Sequence, residues 1–137
     1  MSQIVKSAHA MIAGMTPQLR PEVFVFSTLT DLDQARDLLP VAFSATREEE
    51  GLSLVLPIKV AQDAGHATDQ PMHCITLNVY SALDGVGLTA AVASALAAKN
   101  IPCNMIAGYH HDHVLVPDDR SAQALSVLQT LQSAACA

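Results

Sequence analysis

The sequence predicts an α+β protein in which one architectural unit occurs twice. Short strands with period-2 alternation, such as Ile75, Leu77 and Val79 against Thr76, Asn78 and Tyr80, are interleaved with segments of helical spacing. The order strand, helix, hairpin, helix can be traced in each half of the chain. The two hairpins end on similar motifs, LSLVLP (Leu52–Pro57) and DHVLVP (Asp112–Pro117), each directly before a helix. That order is the βαββαβ plan of ferredoxin-like folds, with antiparallel sheets and helices packed on one face.

Length and composition fit this plan. A chain of 137 residues holds one ordinary domain or two small ones sharing a core. Half of it is hydrophobic and only 15% is charged, which predicts a packed globule. With no Trp and 4% aromatics, the core is expected to be Leu, Val, Ile, Met and Ala. The formal charge of -6 and the lack of a Lys/Arg cluster argue against nucleic acid and anionic membranes as partners. Cys74, Cys103 and Cys136 are odd in number and form no C-x-x-C pair, so they read as free thiols in a reducing compartment. Lys6 and His9 interrupt the N-terminal apolar run, and no stretch approaches the ~20 residues of a membrane span. The expected location is the cytoplasm.

Along the chain, residues 2–13 carry Ile4, Ala8, Met11 and Met15 at helical spacing, with Ser2 as N-cap and Gly14 as stop. TPQLRP reads as a connector and EVFVFST (Glu22–Thr28) as a strand. Residues 31–39 form a short helix carrying Leu32, Ala35 and Leu39, closed by Pro40. Val41–Thr46 and Leu52–Leu56 are the arms of a hairpin whose turn holds Glu48, Glu49, Glu50 and Gly51, and KVAQDA is a helix ended by Gly65. The polar segment His66–Pro71 marks the internal boundary, giving units at 1–66 and 72–135. The second unit reads as strand 73–80, helix 86–99, strands 103–109 and 113–117, and a helix from 119 to 135. Asn100, Ile101 and Pro102 end the middle helix, and Asp118 or Asp119 caps the last, whose Leu125, Leu128, Leu131 and Ala135 face inward.

Between strand 73–80 and helix 86–99, Gly85 and Gly87 leave backbone N–H groups uncovered at a helix start, where a carboxylate is favoured. The alternative is that both glycines serve a tight turn and close helix–sheet packing. Gly85-Val86-Gly87-Leu88-Thr89-Ala90 formally matches the dinucleotide fingerprint, yet a hairpin follows where a Rossmann unit needs parallel strand–helix repeats. His110-His111-Asp112-His113 offers metal-ligand side chains, with His111 and His113 on one side of an extended strand and Asp112 on the other. The plainer reading is a polar turn. No nucleophile motif accompanies it, so no catalytic residue and no cofactor are expected, and the chain does not read as an enzyme.

EVFVFST, REEEGLSLVLP, ITLNVYSALDGVGLTAAVASALA and IPCNMIAGYHHDHVLVP together resemble ACT domains, in particular an uncharacterised family of bacterial tandem-ACT proteins. The resemblance extends from the N-terminal helix to Leu131. The second half is also similar to the ligand-binding ACT repeats of animal cytosolic arginine sensors, which carry a comparable aromatic-to-DHxLVP hairpin. The resemblance implies a regulatory protein that binds an amino acid-like effector at the interface between ACT units, acting as a homodimer or on a partner regulatory protein. The family's usual site includes the turn between first strand and first helix, which maps onto Asp84, Gly85, Val86, Gly87 and Leu88. The arginine-sensor motif adds Asp112, with Tyr109 nearby to wall the side-chain pocket. Asp84 or Asp112 would then hold the ligand's ammonium. The chain departs from this pattern at His110, where Tyr is common, and in a longer loop at Thr30–Pro40. Two other readings stay open: a metal-binding protein or enzyme using His110–His113, and a ligand-free interaction module using an exposed sheet edge.

Overall fold

The computed structural model describes residues 7–137. The described residues form two compact units, Glu22–Met72 and a second in which residues 7–21 join His73–Ala137. This division differs from the sequence boundaries of 1–66 and 72–135. Its cause is helix α1 (Ala8–Ala13), whose Met11 is buried with Leu88, Val92, Leu96 and Leu128 of the C-terminal half. Ser7 caps α1 by accepting from the Ala10 N–H at 3.2 Å, and Gly14 ends it. The expected cap Ser2 and the core position Ile4 lie outside the described residues.

Strand β1 (Pro17–Leu29) is longer than the sequence reading, which took TPQLRP for a connector. Pro17 opens it, a position where no ladder donor is lost, and Pro21 precedes the registered pairing that starts at Phe24. In the unit Glu22–Met72, α2 (Leu32–Leu38) is followed by one 3-10 turn through Pro40, hairpin strands β2 (Ser44–Glu48) and β3 (Gly51–Pro57), and helix α3 (Ile58–Asp63). The strand order here is β2-β3-β1, with both pairs antiparallel. Val25, Leu29, Ala35, Leu38, Leu54, Leu56 and Ala61 make its core. Of the residues that mark the helical spacing, Leu32 and Leu39 are 81% and 44% exposed, whereas Ala35 is buried together with Leu38. Glu48 pairs with Gly51, so the turn itself is Glu49-Glu50. Gly51 has φ +153, and a Cβ there would lie 2.5 Å from the Leu29 carbonyl oxygen, so only glycine fits.

In the other unit the order is β1-β4-β6-β5, with β4 (Met72–Leu77), β5 (Asn104–Ala107) and β6 (Asp112–Pro117). Helices α4 (Leu88–Ala97) and α5 (Ser121–Cys136) complete it. Its core packs Ile75, Leu77, Val114 and Val116 of the sheet against Val92, Leu96, Ala124 and Leu128 of the helices. Strand β4 is buried on both faces from Cys74 to Leu77, unlike the one-sided strand its alternation suggests. Thr76 is buried because its hydroxyl meets His113 Nδ1 at 3.0 Å, a partner that removes the cost of hiding it.

The internal repeat is physical as well as textual. β3 and β6 each bury three successive residues before their proline, and Pro57 and Pro117 adopt nearly equal angles (φ -52, ψ 138 and φ -53, ψ 137) as they start the next helix. Helix α4 ends as expected: Asn100 takes φ 57 and the Ile101 N–H donates to the Leu96 carbonyl at 3.0 Å. Helix α5 begins differently. Residues Asp118–Arg120 form a 3-10 turn and no side chain caps α5. The Asp118 carboxylate is instead drawn to His73 Nδ1, while Arg120 donates to the carbonyls of Lys99 and Asn100 at the end of α4.

Candidate functional site

The end of β4 is pinned before the chain turns toward α4. The Asn78 side-chain amide donates to the Thr16 carbonyl at 3.2 Å and to Gln18 Oε1 at 3.1 Å. The Gly85 N–H then returns to the Ala82 carbonyl at 3.0 Å, closing a tight turn. Gly87 caps α4 in the left-handed region, with φ +115 and ψ -22. A Cβ at Gly87 would come within 2.6 Å of the Ala8 Cβ, so the glycine also allows α1 to approach. Gly87 itself has no side chain to cap α4, and among the described residues no other side chain is seen to do so. Among the described residues, the first-turn amides of this ten-residue helix carry no side-chain cap and sit at the positive end of the helix dipole.

Those amides border a cavity of about 160 Å³ whose lining includes Ser81, Gly85, Gly87, Leu88, Thr89 and Asp112. Asp112, at the start of β6, accepts a long hydrogen bond from the Ser81 hydroxyl at 3.5 Å. Burial pushes its carboxyl above the usual 3.8, with the Ser81 bond and the nearby His113 and His111 acting the other way. The carboxylate is thus partly desolvated, and a cation beside it would be favoured. His113 is held below 6.5, first by burial, then by His111 and Arg20, against the attraction of Asp112. The imidazole is therefore favoured in its neutral form.

Four of the sequence-derived positions, Gly85, Gly87, Leu88 and Asp112, line this one cavity. Val86 and Tyr109 do not; they are 80% and 70% exposed, and Asp84 is also on the surface. Tyr109 packs edge-on against His110, whose ring also lies 5.7 Å from that of Tyr80. Ser81 and Thr89 also line the site, although no sequence motif marks them. A hydroxyl at each end of the glycine turn is the only signal they carry. The histidines of His110–His113 take separate partners: His111 Nδ1 bonds the Val79 carbonyl at 3.2 Å and His113 turns to Thr76. Among the described residues no three His, Cys, Asp or Glu side chains converge on a metal position. The dinucleotide reading of the glycine turn also loses its context, because antiparallel β5 and β6 follow α4. Among the described residues, no helix is long and apolar enough to cross a membrane.

Two family models match the chain in tandem, both described as ACT domain, over residues 5–73 and 70–130. Among solved structures, a Vibrio cholerae protein of unknown function, described as a possible transport protein, is 40% identical, with 88% of this chain and 92% of that one covered and a TM-score of 0.78. The ligand-free regulatory subunit of aspartate kinase from Thermus thermophilus shares the fold at 9% identity, covering 84% of this chain and 95% of that one, with a TM-score of 0.61. Aspartate kinase from Clostridium acetobutylicum does so at 11% identity and a TM-score of 0.62, covering 86% of this chain and 34% of the kinase. No curated protein matches.

Proposed function

The chain belongs to the ACT-domain family, and from that premise we propose that it is a regulatory protein binding a small amino acid-like effector in the cavity beside α4. One observation carries the reading. An uncapped helix N-terminus and a partly desolvated carboxylate line the same small space, which suits the two charges of a zwitterion. The Gly85–Leu88 backbone takes the carboxylate, and Asp112 with Ser81 takes the ammonium. A volume of about 160 Å³ lies below the range of drug-sized pockets, so the effector's side chain is short. No bond is made or broken. Binding alters how the protein associates with a second copy or a partner regulatory protein, in the cytoplasm.

A thermal-shift panel of the standard amino acids tests this. At a concentration of 100 times Kd a ligand of the native state adds ~2.7 kcal/mol of stability, enough for a clear rise in Tm. At least one small amino acid is expected to raise Tm in the wild type and to lose most of that effect in Asp112→Ala. A panel with no response, or a response that Asp112→Ala leaves intact, contradicts the proposal.

A further inference from the structure

The unit Glu22–Met72 holds a second cavity at the corresponding place in the repeat, between the turn after its first strand and the tip of its hairpin. At about 710 Å³ it is much larger than the space beside α4, and its chemistry is reversed. Where α4 has no side-chain cap, α2 has one: the Asp31 carboxylate accepts from the N–H groups of Asp33 and Gln34 at 2.9 and 3.4 Å. A ligand carboxylate would meet that carboxylate rather than free amides. The repeat also places Leu52 where the other hairpin has Asp112. The floor is therefore apolar, built from Leu29, Ala35, Leu39 and Leu52, and Leu32 stands over it with 81% of its surface exposed.

The rim is acidic. Asp31, Glu48, Glu49 and Glu50 line the cavity together with only two cations, Arg36 and Arg47. Arg36 is already engaged by Asp33 at 3.3 Å. Glu48 accepts from the Ser53 hydroxyl, while the turn residues Glu49 and Glu50 project from the hairpin tip beside the cavity mouth. An apolar floor under a rim of excess negative charge, with Asp31 on the α2 side and Glu48–Glu50 on the hairpin side, matches a molecule with a hydrocarbon body and positive ends.

We propose that this cavity is a second ligand site, and that it takes an aliphatic ammonium ligand such as a linear diamine, its chain on the leucine floor, one ammonium at the Glu49–Glu50 turn and the other at Asp31. The site does not depend on the effector reading of the cavity beside α4, and the two can fail separately.

Isothermal titration calorimetry of the full chain with 1,8-diaminooctane tests it, with octanoate as the probe of opposite charge. Saturable binding of the diamine at 1:1, and none of octanoate, is expected. Glu49→Gln combined with Glu50→Gln should weaken the diamine about fivefold or more, and 0.5 M salt should do the same. Leu32→Ser should weaken it comparably while leaving the far-ultraviolet circular dichroism unchanged, because Leu32 is outside the core. Asp112→Ala should leave the diamine affinity as it is. Absence of saturable binding overturns the proposal. So does an affinity unchanged by both the glutamine pair and Leu32→Ser, or an equal affinity for octanoate.

Discussion

Replacing Gly87 by Ala should cost this protein far more than a single methyl group normally does. Two independent penalties meet at that position. The backbone is at φ +115, which an L-residue adopts only at ~1–3 kcal/mol. The new Cβ would also sit 2.6 Å from the Ala8 Cβ, well inside van der Waals contact, and displacing packed neighbours costs a further ~1–3 kcal/mol. Together these predict a loss of about 2–6 kcal/mol. In urea, with a slope of about 1–3 kcal/mol per M, the midpoint should fall by about 0.7 M or more. The contributions separate in the background of Ala8→Gly, since among the described residues beyond its chain neighbours the next contact is the Ala8 Cα at 3.8 Å. There Gly87→Ala should cost only the dihedral strain, giving a coupling of ~1–3 kcal/mol between the two sites. A cost below ~0.5 kcal/mol for Gly87→Ala refutes the argument that glycine is required here for both reasons. An unchanged cost in the Ala8→Gly background removes the contact and leaves the strain.

Further outcomes follow from burial and charge. Because the folded state holds His113 below its unfolded value of 6.5, unfolded chains bind a proton there that folded ones resist. Stability should be complete above pH 6.5 and fall as pH drops through the folded value; His113→Gln should flatten that slope in urea titrations. Asp112 has the opposite sign: with its folded pKa raised above 3.8, its contribution is fully present below that pH and is lost as pH rises through the folded value. Asp112→Asn should therefore leave the protein as stable or more stable at neutral pH while weakening effector binding, the pattern of a residue retained for recognition. Leu128→Ala, at a site with no exposed surface, should cost ~2–5 kcal/mol by equilibrium unfolding, whereas Leu32→Ala, 81% exposed, should stay within ~0.5 kcal/mol.

The repeated plan was legible because its signals are local. Pro57 and Pro117, each closing a run of three buried apolar residues, stop a strand and start a helix by their own geometry. Asn100 before Ile101 and Pro102 marks a helix end in the same self-contained way. What local pattern does not carry is partnership. Thr76 reads as solvent-facing from its alternation, and only the fold brings His113 against it. Asp118 looks like a helix cap until His73 competes for it from 45 residues away. The strand character of Pro17–Pro21 was hidden by its two prolines. Of the site, Gly85, Gly87, Leu88 and Asp112 were recognisable from motif and chemistry, while the exposure of Tyr109 and Val86 depends on how the two turns stand above the sheet. The exposed Leu32 was equally invisible, because helical spacing alone does not say which of Leu32, Ala35, Leu38 and Leu39 define the inner face of α2.

The central claim, that the turn before α4 holds the carboxylate of an amino acid-like effector, is tested most directly by amide chemical shifts. In a ¹⁵N-labelled sample titrated with the strongest amino acid of the thermal-shift panel, the N–H signals of Gly85, Gly87, Leu88 and Thr89 should move together and saturate, and the same titration of Asp112→Ala should move them little. A ligand that binds while those four amides stay still, with its shifts elsewhere, contradicts the account.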